Sequence, residues 1–362
     1  MVPASMAGDN APPTSLSPFS TSTSTSTTPP GHGTIFVSIL PPSRPSIRTL
    51  NFTYPLKLIS PDPITLPNER TVLLIFLLTY GGGLVAGDSI TLGITLAPET
   101  RLSLVTQGST KIFKSPRRDL ISRQTLDVAI GRGAALCYLP DPTQPFAQSC
   151  YEQRQIFGVA HDASLCALDW VSEGRRARGE KWDFWSWAGK NEVWTLAGDD
   201  NGGDGDGDGL GYSRKRLLLR DNIVLDSQAE GFSETLSARM DGLGIFGTLI
   251  LRGPIFERLG RYFLDEFSQM PRIGGRNWSS DAEQQRQQQQ QKSSPAETKR
   301  AARLRREKED RVLWTAAAVR GVTLVKFGAS EVEGARSWLG GMLREEGTVL
   351  EEFGEGALLC LR

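Results

Sequence analysis

The stretch DSITLGITLAPETRLSLVTQGSTK, residues 88–111, contains the pattern that decides the fold. Every second residue from Ile90 to Leu96 is apolar, which is the two-residue period of a half-buried β-strand. A turn at 97–100 leads into a second strand that carries Leu102 and Leu104. The stretch therefore predicts two strands joined by a tight turn and followed by a loop of small polar residues.

The same unit recurs further along the chain, at an offset of roughly 30 residues. Residues 126–138 and 156–170 each place two apolar, strand-like segments on either side of a short turn. We interpret this pattern as a hairpin-like repeat. It predicts a mainly β protein, built as one large body of stacked hairpins and strands.

Four distinctive loops accompany these strands, and each combines Gly, Pro, hydroxyl or charged residues in an unusual order. Loops that rigid strands hold in place commonly carry the function of a protein. We therefore expect these loops to gather along one region of the body. They are GGGLVAGD (81–88), TQGSTK (106–111), LPDPTQPF (139–146) and DWVSEGRRARGE (169–180).

About two α-helices are predicted toward the C-terminal part of the chain. In Ile255–Met270, apolar residues recur at every fourth position and form one face. In Ser330–Glu346, a similar apolar face follows Ser330 and Glu333, which have the spacing of a capping box.

Three segments lack the composition of a folded core. Residues 1–34 are rich in Ser, Thr and Pro and are predicted to be a disordered tail. Residues 198–211 form a low-complexity acidic insertion, and residues 281–311 form a Gln- and Arg-rich insertion that is either a charged helix or disordered. The remaining chain, within 35–362, is predicted to be one β-rich domain.

Composition excludes several classes of protein. The formal net charge is zero, which argues against a nucleic-acid-binding protein. The longest apolar run, 72–78, is far shorter than the ~20 residues that span a bilayer, so we expect no membrane partner and a cytoplasmic location. The four cysteines form no C-x-x-C pair and are expected to be small buried residues.

The motifs do not form an enzyme signature. The glycine loop 81–88 lacks the Gly-Lys-Ser/Thr of a phosphate-binding loop, since Asp88 follows Gly87. An EF-hand-like start at 204–209 has Lys215 where calcium binding needs a bidentate Glu. No nucleophile lies beside a base in the sequence, so we predict no enzymatic activity. A hydrolase that uses a pair of carboxylates is the enzymatic alternative.

Taken together, the four loops resemble those of the urease accessory protein UreD family, called UreH in some bacteria. The similar stretches are GGGLVAGD, TQGSTKIFKS, YLPDPTQPFAQS and LDWVSEGRRARGEKWDF, and the resemblance is clearest over residues 34–265. It implies a β-rich protein that is not an enzyme. It also implies assembly with the accessory protein UreF and the GTPase UreG on apo-urease, with nickel in transit and no tightly bound cofactor.

The resemblance also suggests candidate site residues. An ion in transit should meet oxygen ligands rather than a tight cage of His and Cys, because tight binding would prevent its release. Residues chosen from the matching motifs as a nickel path are Asp88, Asp141, Asp169 and Glu180. Residues chosen as partner contacts are Lys111, Arg175, Arg178 and Trp182.

Structural roles compete with each of these assignments. A loop carboxylate can cap a turn or form an ion pair, and a tryptophan can fill the core as readily as it can anchor an interface. The alternative function is a purely structural scaffold for the urease activation complex, through which no ion passes.

Overall fold

A computed structural model of the protein describes residues 28–41, 44–197, 213–231, 233–270 and 295–362. Most of the predicted tail and the whole acidic insertion 198–211, with its EF-hand-like motif, therefore lie outside the described residues. The first strand begins at His32, so the predicted end of the tail at residue 34 falls inside a strand.

The described residues are mainly β, as predicted. The strands are β1 (His32–Leu40), β2 (Arg44–Phe52), β3 (Leu56–Ile59), β4 (Ile64–Thr65), β5 (Thr71–Thr79), β6 (Gly83–Leu84), β7 (Ser89–Leu96), β8 (Arg101–Val105), β9 (Thr110–Ile112), β10 (Ser122–Ile130), β11 (Ala135–Leu139), β12 (Thr143–Pro145), β13 (Cys150–Val159), β14 (Ser164–Ser172), β15 (Ser186–Leu196), β16 (Arg214–Asp226), β17 (Ile245–Arg252), β18 (Leu313–Val319) and β19 (Val322–Ala329).

These strands form two large sheets. The first sheet has the order β16-β15-β13-β10-β7-β1-β2. The second sheet has the order β18-β19-β17-β14-β11-β8-β5-β3, with the short strands β4, β6, β9 and β12 attached beside it. Consecutive strands of each repeat unit belong to different sheets, so β7 lies in the first sheet and β8 in the second.

The prediction of hairpins is therefore wrong for the repeat units. β7 pairs with β10 and β8 pairs with β11, and both pairings are parallel. Each unit is one turn of a coil that contributes one strand to each sheet. A period of two in the sequence is the same in parallel and antiparallel strands, so it cannot show which strand is the partner.

The motif loops gather along one edge of the coil, as expected. β6, β9 and β12 belong to three of these loops, and they pair with one another in parallel, side by side. This stacking explains Gly83. A Cβ at that position would lie 2.2 Å from the backbone oxygen of Lys111, so no larger residue fits.

Helices cover the outer face of the second sheet. The strands β8, β11 and β14 are buried along their whole length, because one face packs on the first sheet and the other on these helices. The helices are α1 (Leu236–Arg239), α2 (Glu257–Ser268), α3 (Pro295–Glu309), α4 (Val332–Glu346) and α5 (Thr348–Phe353).

The two predicted helices correspond to α2 and α4, and Phe263 of α2 and Leu339 of α4 are fully buried in the core beneath them. The predicted capping box is wrong. The N-cap of α4 is Glu331, without a side-chain capping bond, and the Ser330 hydroxyl instead donates to the backbone oxygen of Asp310. In the second insertion, residues 295–309 form the charged helix α3, and residues 281–294 lie outside the description.

Two smaller predictions can also be compared with the structure. All four cysteines are buried, as expected for small apolar side chains. Among the helices that the structure describes, none has the length and apolar character needed to span a bilayer.

Candidate functional site

The space between the two sheets is apolar except for a band of polar side chains at one end. Positions that face inward carry Gln124 on β10, Gln153 and Gln155 on β13, and Asn191 on β15. In the parallel register Gln124 lies beside Gln153, and Gln155 lies beside Asn191. Buried polar groups are costly unless they are hydrogen-bonded, so this band marks a special region of the core.

A cavity of about 20 Å³ lies within this band. Its volume is slightly more than a single water molecule requires. The cavity is lined by Leu77, Thr106, Thr110, Gln124, Tyr138, Pro140, Asp141, Thr143, Gln153, Gln155, Asp169 and Trp170. Two of the four predicted nickel-path residues, Asp141 and Asp169, are thus brought together.

Asp169 is held by neutral groups. Its side chain points from β14 toward the first sheet, and the residue is 4% exposed. The Gln153 side-chain amide donates to Oδ1 over 2.9 Å, and the Asn191 amide donates to Oδ2 over 2.7 Å. Burial raises the pKa of Asp169 to about 6, although both amide hydrogen bonds act in the opposite direction.

Asp141 is held by a charged group and by the second motif loop. The Thr106 hydroxyl and the Gly108 backbone N–H both donate to Oδ2, over 2.9 and 2.8 Å. The guanidinium of Arg336, on helix α4, donates to Oδ1 over 2.6 Å. Asp141 is 7% exposed, so this carboxylate is nearly enclosed by its three donors.

A surface pocket of about 290 Å³ lies beside the cavity, between the first two motif loops. Its walls include Tyr80–Gly82 and Gln107–Ser109. It shares Leu77, Thr106 and Thr110 with the lining of the cavity, so these three side chains separate the interior from the solvent on this side.

A larger surface pocket, of about 620 Å³, lies between the last two motif loops and the start of α4. We call it the arginine pocket. It is lined by Ser109, Gln144, Ser172, Glu173, Gly174, Arg175, Arg176, Ala177, Arg178, Gly244, Glu331, Val332, Glu333 and Arg336. Because Arg336 also binds Asp141, the ion pair connects the arginine pocket to the wall of the cavity.

The other two predicted path residues lie elsewhere. Asp88 caps its own loop, where its Oδ2 accepts the backbone N–H of Val85 over 3.0 Å. Glu180 forms an ion pair with Arg175, whose Nε lies 3.0 Å from both carboxylate oxygens. Hydrogen bonds from Arg175 lower the pKa of Glu180. Both residues have the structural roles that competed with the nickel assignment, and neither lines the cavity.

The four predicted partner contacts differ in their exposure to solvent. Lys111 and Arg178 are exposed, whereas Arg175 is half-buried over the ring of Phe146 at 3.9 Å. Trp182 is only 3% exposed, and its indole N–H donates to the backbone oxygen of Leu243 over 2.7 Å. The side chain of Trp182 fills the core, so the prediction that it anchors a partner is not supported.

The structure adds residues that the sequence did not indicate. Arg336 was missed because it lies 195 positions from Asp141 in the chain. Asp221 on β16 is also buried and accepts from Lys326 Nζ over 2.6 Å, and its charge contributes to the raised pKa of Asp169. The inward-facing glutamines carried a usable signal, because they interrupt the apolar alternation of β10 and β13.

Within the described ranges, no group of three or more His, Cys, Asp or Glu side chains is arranged to hold a metal ion. The oxygen-bearing side chains that line the cavity are the two carboxylates, the amides of Gln124, Gln153 and Gln155, and the hydroxyl groups of Thr106, Thr110, Thr143 and Tyr138.

Comparison with known proteins gives a consistent result. The family described as UreD urease accessory protein matches residues 41–352, well past the region where the resemblance of the motifs is clearest. An uncharacterized ureD-like urease accessory protein of Schizosaccharomyces pombe is 29% identical over 288 residues, which cover 79% of this chain and 84% of that protein.

Two further relatives carry related names. Urease accessory protein 4 of Cryptococcus neoformans var. grubii is 31% identical over 265 residues, covering 66% of this chain and 76% of the relative. Urease accessory protein D of Arabidopsis thaliana is 40% identical over 141 residues, covering 39% of this chain and 47% of the relative.

Proposed function

This chain belongs to the UreD family of urease accessory proteins, and we propose that its part in urease maturation is to carry nickel toward the active site of apo-urease. In this proposal it assembles with UreF and the GTPase UreG and has no catalytic activity of its own. The ion is cargo, and the chain supplies the scaffold and a short interior route.

The observation that carries the proposal is the meeting of Asp141 and Asp169 at one cavity, in the polar band at one end of an apolar core. Asp169 is buried and its hydrogen-bond donors are neutral amides, so the fold keeps this carboxylate ionised at a cost. An arriving divalent cation would compensate its charge. Oxygen ligands of this kind bind nickel more weakly than imidazole or thiolate does, which suits an ion that must leave again.

A route from the surface is consistent with the geometry. The ion would enter at the pocket between the first two motif loops, pass Thr106 and Thr110, and reach the cavity beside Asp141 and Asp169. The burial that raises the pKa of Asp169 to about 6 has a consequence for this step. Near neutral pH the side chain is mostly ionised and able to meet a cation, whereas at lower pH it is increasingly protonated.

One observation favours the alternative, a scaffold through which no ion passes. On the measure by which one water needs about 10–15 Å³, the hydration shell of a divalent cation, about six waters, needs roughly 60–90 Å³. The cavity measures about 20 Å³, so a hydrated ion would enter only if side chains moved or water was lost. A rigid closed cavity would support assembly alone.

Reconstitution separates these functions. Apo-urease is incubated with UreF, UreG, GTP and nickel, with and without the full chain, and the urease activity that develops is measured. We expect activation to depend on the chain. Equal activation without the chain would remove the proposed role in maturation by this machinery.

Asp169→Asn then separates nickel passage from scaffolding, because it removes the charge at the cavity and keeps the shape of the side chain. Asp88→Asn is the matched control, since it makes the same chemical change outside the cavity. Passage predicts that activation falls with Asp169→Asn alone while the assembled complex still forms. Full activation by both variants would support the scaffold.

A further inference from the structure

We propose that Arg336 is a cationic gate that closes the cavity toward the arginine pocket, and that a divalent cation reaches Asp141 from that side only after Arg336 has moved away. This inference rests on the proposed function, because it concerns the same cavity. It concerns a residue of helix α4 that lies outside the four motif loops.

The position of Arg336 is the first argument. Its guanidinium donates over 2.6 Å to Asp141 Oδ1, while the opposite oxygen of Asp141 is bound by Thr106 and Gly108. Asp141 lines the cavity, and Arg336 lines the arginine pocket. The ion pair therefore lies between the cavity and the arginine pocket.

Charge is the second argument. Asp141 offers a divalent cation a carboxylate whose three donors already satisfy it, one of them a full positive charge. A cation that approached Oδ1 would meet the guanidinium at hydrogen-bond distance, and like charges repel strongly where water is scarce. While Arg336 is in place, Asp141 forms a structural ion pair. When Arg336 is displaced, Oδ1 of Asp141 becomes available as a metal ligand.

The third argument is that Arg336 has room and other acceptors for such a movement. Its side chain is 22% exposed and borders a pocket of about 620 Å³. The same pocket is lined by Glu173, Glu331 and Glu333, and Glu333 lies one helical turn before Arg336 on α4. The Nε of Arg336 is buried and makes no hydrogen bond to any described residue, so only part of its donor capacity is used.

The test measures Ni²⁺ binding to the full chain by equilibrium dialysis, with no other protein present. We expect Arg336→Gln to bind Ni²⁺ at least about tenfold more tightly than the wild type, because the opposing charge is gone. The double variant with Asp141→Asn should lose this gain. Arg336→Lys keeps the charge and should bind as the wild type does.

Arg178→Gln is the matched control, since it removes a charge from the same pocket at a residue that does not bond to Asp141. It should leave Ni²⁺ binding unchanged. Urea unfolding checks that each variant is folded, and Arg336→Met replaces Arg336→Gln if the latter does not unfold cooperatively. A folded variant without the charge that binds Ni²⁺ no better than the wild type would overturn the gate.

The gate and the proposed function fail in different experiments. If urease activation does not need the chain, the nickel-delivery role is lost whatever the dialysis shows. If activation needs the chain and removal of the Arg336 charge leaves Ni²⁺ binding unchanged, the gate alone is lost.

Discussion

Asp141 and Asp169 line the same cavity, yet the protein holds them in opposite ways. Asp141 accepts from a guanidinium, a hydroxyl and a backbone amide, and two of these donors come from the loop 106–111. Asp169 accepts from two carboxamides, and burial raises its pKa to about 6. One carboxylate has a cationic partner, whereas the other has only amide donors and is disfavoured as an anion by its burial.

The difference indicates two separate uses of one residue type. Removing the carboxylate of a buried ion pair lowers stability, because the partner's charge is left without compensation. A buried carboxylate with only neutral partners lowers stability when it ionises, and gains most from a cation that arrives later. Near neutral pH, replacing Asp141 should therefore lower stability, whereas replacing Asp169 should remove the cost of ionising a buried carboxylate.

Asp141→Asn is expected to have the largest effect. It removes the charge that balances Arg336 and should lower the free energy of unfolding by about 3 kcal/mol, toward the lower end of the range for a broken buried pair because Arg336 can turn toward solvent. Urea unfolding at pH 7 measures the change. A loss below about 0.5 kcal/mol would show that the two carboxylates are not held differently.

Asp169→Asn should become more stable relative to the wild type as pH rises. The pKa of Asp169 in the folded chain, about 6, lies above its ordinary value of 3.8, so its contribution to stability is fully present below pH 3.8 and is lost as pH rises through about 6. Asparagine does not ionise, so the variant does not lose this stability as pH rises. Relative to the wild type it should gain roughly 2–3 kcal/mol between pH 3.5 and pH 8.

The measurement for Asp169→Asn is a series of urea unfolding curves across that pH range, compared with the wild type at each pH. The comparison between the two ends of the pH range cancels the cost of replacing one carboxylate oxygen by an amide. A difference between variant and wild type that does not change with pH would contradict the raised pKa.

Gly108→Ala tests how the loop holds Asp141. Gly108 has a φ of 81°, which other residues rarely adopt, and its N–H donates to Asp141. A Cβ there meets nothing within 4 Å, so backbone strain is the main cost, about 1 kcal/mol by thermal or urea unfolding. Gly93→Ala is the control, because its φ is not positive and its site is equally open. Equal effects of both variants would argue against strain in the loop.

Asp88→Asn should have the smallest effect. Its carboxylate accepts one backbone N–H at a turn, and an asparagine oxygen can accept the same bond. The expected change is within about 0.5 kcal/mol in the same unfolding assay. A loss as large as that of Asp141→Asn would show that the first motif loop is coupled to the cavity.

Part of this arrangement could be read from the sequence. Alternation in Ile90–Leu96 predicted a strand correctly, and the motif loops gather along one edge as expected. Asp141 and Asp169 came from motif resemblance, and the structure brings both to one cavity. The sequence could not separate them from Asp88 and Glu180, because a turn cap, an ion pair and a buried carboxylate look the same until the neighbours are known.

The remaining features depend on contacts between distant parts of the chain. Whether β7 pairs with β8 or with β10 is decided by packing between sheets, which alternation does not encode. Arg336 comes from a helix that the sequence predicted, but its meeting with Asp141 depends on how α4 crosses the second sheet. The burial of Trp182 could not be predicted either, because a tryptophan in the core and a tryptophan in an interface look alike in the sequence.

The late position of α4 in the chain has a consequence for biosynthesis. A polypeptide folds progressively from its N-terminus as it leaves the ribosome. Neighbouring turns of the coil can pair soon after they emerge, since β8 and β11 lie close in sequence. Arg336 emerges long after Asp141, so the nascent coil passes through a stage in which this carboxylate is uncovered. Ribosome-bound intermediates that stop before α4 should expose a carboxylate that the finished protein conceals.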